Sequence, residues 1–189
     1  MAQMNIKSFS GLSSIVHLHG ECITEWTGLE MALDGGRAVV TDDTVTSGFF
    51  GESPAVWAHP DVPFWQFSSI HIKLPSGLYL QLFAEDMDDR PNGLLMAKMD
   101  GMPEPVPEAP AGIFRSRALE CLPVGQVALS VLREGPGGVV WDASLEISGQ
   151  VVRLLAGEVY RRQGGTFDIV TPNESVLLQL NGACPHSAG

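Results

Sequence analysis

The stretch Ile70-His71-Ile72-Lys73-Leu74-Pro75-Ser76-Gly77-Leu78-Tyr79-Leu80-Gln81-Leu82-Phe83 decides the class of fold. Ile70, Ile72 and Leu74 alternate with His71 and Lys73, and Leu78, Leu80 and Leu82 alternate with Tyr79, Gln81 and Phe83. An extended chain turns successive side chains to opposite faces, so a period of two marks a strand with one buried face. Pro75-Ser76-Gly77 supplies a turn between the two runs, and the whole predicts a β-hairpin.

The same style recurs outward in both directions. Leu29, Met31 and Leu33 alternate into Asp34-Gly35-Gly36, a hairpin signal, after which residues 37–41 return as a β-branched strand. Val127, Leu129 and Val131 lead to a glycine-rich turn at 134–138; residues 139–147 alternate down to Ser148-Gly149, and residues 151–156 return. Residues 166–170 and 175–180 read as a closing pair. Residues 94–99 and 116–122 are the candidates for short helices. The sequence therefore predicts an all-β fold with minor helix, an antiparallel β-sandwich or open barrel built from hairpins. Residues 72–85 align without gaps on 145–158, each a hairpin ending in an acid, which suggests a repeated unit.

Between the halves, Pro103, Pro105, Pro107 and Pro110 deny the backbone its donors and favour extended chain, so residues 100–112 predict a connection. The expected layout is an acidic N-terminal lobe over 1–99, this connection, a C-terminal β lobe over 113–182 and a tail over 183–189. One two-lobed domain is favoured, since either lobe alone would have a thin core.

Hydrophobic residues are 44% of the chain and charged residues 17%, a globular balance. The N-terminus has no secretory pattern, and no stretch nears the ~20 apolar residues that span a bilayer. Cys22, Cys121 and Cys184 are odd in number and scattered, as expected of reduced thiols in a cytoplasm. The net charge of −11 is uneven: residues 1–108 hold 15 acids and 5 bases, residues 109–189 hold 7 and 6. Such a field repels phosphate backbones, which disfavours nucleic acid, and steers a basic protein towards it.

The residues that would meet that partner are Asp42, Asp43, Glu85, Asp86, Asp88 and Asp89 for charge. Residues 49–67 hold six large aromatics and three prolines, and Trp57, Phe64 and Trp65 are the candidate anchors. Rings of this kind also stack on sugars, or close one end of a β core. On a strand, His17 and His19 would share a face, and Glu21 could complete a metal-binding set. This His-x-His resembles the core of cupin barrels; the resemblance covers those few residues and implies a metal-dependent enzyme. In a cupin the glutamate stands further on, so His59 or His71 would have to serve as third ligand. There is no Gly-x-Ser-x-Gly elbow and no phosphate-binding glycine loop. The expectation is a non-enzymatic binding protein without cofactor, whose profile resembles that of immunity proteins that block toxins or nucleases. A cupin-like enzyme and a carbohydrate- or small-ligand-binding β-sandwich are the alternatives.

Overall fold

The computed structural model describes residues 13–34, 55–87, 90–106, 113–162 and 165–181, with the backbone alone at 86, 87 and 90–92. Among them run β1 (Ser13–Ser14), β2 (Cys22–Ile23), β3 (Glu25–Met31), β4 (Trp65–Lys73), β5 (Tyr79–Met87), β6 (Arg90–Met99) and β7 (Phe114–Ala118). After them come β8 (Gly125–Glu134), β9 (Val140–Ile147), β10 (Gln150–Ala156), β11 (Glu158–Arg161), β12 (Phe167–Val170) and β13 (Val176–Leu180). Ile15–Leu18 and Pro136–Gly138 are short 3-10 turns. Every strand pairing is antiparallel, and the fold is an all-β, curled, open half-barrel.

The hairpin read from residues 70–83 is β4–β5, with Ser69 opposite Phe83 and Lys73 opposite Tyr79. Its turn closes through Gly77, at a φ of +81° that a side chain would strain. The β8–β9–β10 meander forms as the alternation requires.

Strand β4 is the branch point. Residues 69–73 pair with β5, which leads to β6 and β1; Trp65, Gln66 and Phe67 pair instead with β13, which leads through β10, β9 and β8 to β2. Its other edge carries β3, and β3 carries β7. Strand β2 passes into β3 across Thr24, whose N–H reaches Lys73 O at 2.9 Å. The far end of the sheet thus returns towards β4, the curling that strand twist favours.

One large apolar cluster fills the concave side, including Phe67, Ile70, Ile72, Leu82, Leu94, Leu145, Ile147 and Leu154, drawn from both sides of the proline-rich connection. Each such side chain contributes about 1.5–3 kcal/mol on burial. A second cluster of Leu33, Val62, Phe64, Leu155, Val159 and Leu177 lies beside it, and Trp141 packs against both. Trp26 donates its indole N–H to Pro123 O at 2.8 Å, so the ring is buried without an orphaned donor.

Four expectations are corrected. Residues 94–99 lie in β6, where pairing with β5 overrides the helix propensity of Leu-Leu-Met-Ala-Lys-Met. Residues 116–118 continue β7, and a turn follows in which Leu122 N–H meets Leu119 O. Strands β12 and β13 do not pair with each other: β12 joins β11, and β13 joins β10 and β4. Along β3 the core face carries Trp26, Gly28 and Glu30, while Leu29 and Met31 are only half-buried. The return strand read at 37–41 lies outside the described residues. Among those described, no helix is long and apolar enough to cross a membrane.

Candidate functional site

Among the described residues two carboxylates are fully buried, and each is gripped by arginines. Glu30 accepts from Arg115 Nε at 2.6 Å and from Arg117 Nη1 at 2.5 Å, because β7 lays both arginines against β3. Arg115 stacks over Trp57 at 4.1 Å and Arg117 over Trp65 at 5.3 Å. Asp142 accepts from Arg153 Nε and Nη2 at 3.0 and 2.7 Å, with Arg133 at 3.8 Å and over Trp141. The hydrogen bonds to Asp142 hold the Arg153 guanidinium above its ordinary pKa. Buried charge is tolerated only when paired, so these clusters are internal struts. Asp34 pairs with Arg161 as well. Two acids of the N-terminal stretch, Glu30 and Asp34, are therefore neutralised by arginines from the C-terminal one.

The other face of β3 and β7 is where unpaired chemistry collects. The segment 102–106 crosses it, tied to β7 by Ser116 N–H to Val106 O at 2.8 Å and Val106 N–H to Ser116 Oγ at 2.7 Å. Beneath lies a groove of about 340 Å³ whose walls include Thr27, His71, Met102, Pro103, Pro105 and Ser116. A second groove of about 280 Å³ shares Thr27 and Ala118 with it and is lined by Glu25, Leu119, Glu120 and Leu122 among others.

His71 is 7% exposed, and its Nε2 meets Ser69 Oγ at 3.2 Å. Burial lowers its pKa from the ordinary 6.5, so the ring is neutral at neutral pH. Register then gathers acids at one end of the sheet. Glu25 lies opposite Lys73, Lys73 opposite Tyr79, and Tyr79 opposite Met99, which Asp100 follows. Leu119 N–H bonds Trp26 O, which sets Glu120 beside Glu25, and Glu104 stands on the crossing segment. Asp100, Glu104 and Glu120 are exposed and make no ion pair among the described residues. The bases described at this end are Lys73, bonded to Glu25 at 3.2 Å, and Lys98.

The residues singled out from sequence fall in separate places. His17 sits in a 3-10 turn instead of a strand and donates Nδ1–H to Ser14 O at 3.1 Å. His19 Nδ1 accepts from Leu129 N–H at 3.1 Å, and Glu21 is exposed. His59 packs on Phe167, 4.6 Å between ring centroids. Among the described residues no three His, Cys, Asp or Glu side chains gather as metal ligands. Glu85 is exposed at the end of β5 away from Glu25, opposite Gly93. Asp42, Asp43, Asp88 and Asp89 lie outside the described residues, as does the side chain of Asp86. Trp57 is half-buried against Arg115; Phe64 and Trp65, at 6% and 5% exposed, belong to the two apolar clusters.

Sequence reasoning missed Glu30, Asp142 and the paired grooves. The one local signal was Arg115-Ser116-Arg117, two arginines on one strand face, which need an acid from elsewhere. Comparison of the chain with protein-family models, with curated proteins and with solved structures finds no match.

Proposed function

We propose that this chain is a non-enzymatic binding protein of the inhibitor or immunity type, which holds a partner with a basic surface. The observation that carries this reading is the acidic end of the sheet: Glu25 and Glu120 flank one groove, with Asp100 and Glu104 exposed at the same end. Glu25 is shared with Lys73, whereas the exposed carboxylates of Asp100, Glu104 and Glu120 make no ion pair among the described residues and raise the local concentration of a positively charged partner. The net charge of −11 adds to that steering and opposes nucleic acid. Glu85 is exposed at the surface as a contributor, whereas Trp57 is half-buried under Arg115 and the burial of Phe64 and Trp65 gives them a packing role.

The test is affinity capture from native extract by the wild type and by a Glu25→Gln/Glu104→Gln/Glu120→Gln variant. A basic protein retained at low salt, released at high salt and lost by the variant supports the reading, because a Debye length of about 10 Å at 0.1 M screens exposed charge. A partner held equally by both proteins, or one that is acidic, overturns it.

A further inference from the structure

The two grooves form one surface whose ends differ in chemistry. At one end stands neutral His71, with Nε2 engaged by Ser69 and Nδ1 without a partner among the described residues. A buried ring nitrogen left unpaired costs free energy until something bonds it. Thr27 Oγ1 gives its proton to Met102 Sδ at 3.4 Å and keeps its lone pairs. Met102, Pro103 and Pro105 form apolar walls. At the other end stand the carboxylates of Glu25 and Glu120. Arg117, which also borders the first groove, already has its guanidinium on Glu30, so its charge is taken up on that side.

We infer that this surface receives an arginine side chain from the basic partner, its guanidinium bonded to His71 Nδ1 and drawn by Glu25, Glu104 and Glu120. This rests on the proposed function and names the group recognised. In the tautomer that donates Nε2–H to Ser69 Oγ, Nδ1 is an acceptor, and a guanidinium carries donors alone. Its aliphatic stem fits walls of proline and methionine. A fork of donors can reach acceptors on different strands at once, which a single ammonium cannot match.

The full chain is titrated with the capped peptide Gly-Arg-Gly, and with the same peptide carrying citrulline or lysine in place of arginine, while the His71 imidazole resonances are followed by NMR. The expected result is a saturable shift of His71 with the arginine peptide and binding about tenfold weaker with citrulline, the loss that follows from removing one charge-assisted contact. His71→Phe keeps an aromatic ring, removes the acceptor and should weaken the arginine peptide about fivefold or more. Should that variant fail to fold, the wild-type titration still decides. A His71 resonance that stays put, or a citrulline peptide that binds as well, overturns the inference. If capture of a basic partner through Glu25, Glu104 and Glu120 succeeds while the peptide leaves His71 unmoved, the groove assignment fails alone. A bound arginine peptide with no basic partner captured overturns the wider reading and keeps the groove.

Discussion

Glu30 on β3 and Arg115 on β7 meet side by side across the sheet, 85 positions apart in the chain, with Arg115 Nε 2.6 Å from Glu30 Oε2. Arg117 takes the other oxygen, so the carboxylate is bridged by two cations in a site closed to water. The pairing fixes an edge strand of only five residues to its neighbour. It also leaves the opposite face of both strands free to form the grooves.

Glu30→Ala should therefore destabilise the fold by about 3–5 kcal/mol, since it takes the shared buried carboxylate from two partly buried guanidinium groups. Denaturant unfolding measures this. Replacing Glu30, Arg115 and Arg117 together by apolar residues of similar volume should restore most of the loss. A single-variant cost below about 1 kcal/mol would mean the cluster is solvated.

Asp142 makes a parallel case with a graded outcome. Arg153 bonds it twice at 3.0 Å or less, while Arg133 stands 3.8 Å away and is 61% exposed. Arg153→Ala should lower stability well beyond Arg133→Ala in thermal melts. Equal effects would show that the distances do not report the coupling.

Gly28→Ala tests how closely β3 packs. A Cβ there would come within 2.7 Å of the Phe67 ring, and Phe67 is fully buried. Overpacking should cost about 1–3 kcal/mol, and Phe67→Leu in the same chain should recover part of it. If the double variant is the sum of the singles, the contact is not the cause.

His71 gives stability a pH dependence of known direction. Its folded pKa lies below the ordinary 6.5, so near neutral pH and above the ring is uncharged folded or unfolded. As pH falls through that value the unfolded chain gains a proton that the folded chain refuses, and stability drops until the folded pKa is passed. From about pH 7 to 5 the wild type should lose stability relative to His71→Gln. A gap that does not change with pH would refute this.

What was legible in the sequence was local. The β4–β5 and β8–β9–β10 hairpins follow from alternation plus a turn, both visible within about twenty residues. Residues 94–99 read as helix because leucine, methionine and alanine favour it, and only β5 beside them dictates otherwise. Leu29 and Met31 read as one face of a strand because they alternate into a turn; Glu30 goes inward because Arg115 and Arg117 arrive from a distant strand. The grooves were illegible for the same reason, since His71, Thr27 and Met102 meet through pairings that no local pattern encodes. The acidic bias was plain in composition, but Asp34 and Glu30 show that charge counted along a chain differs from charge presented at a surface.

The divided strand β4 has a consequence for biosynthesis. On the edge away from β3, Trp65, Gln66 and Phe67 find their ladder partners at Leu178, Leu177 and Val176. While the chain emerges from the ribosome, that short edge stays open for the time taken to translate more than a hundred further codons. Nascent chains paused before this point would expose aromatic strand to their surroundings, so chaperone dependence should fall sharply once Leu178 has cleared the exit tunnel.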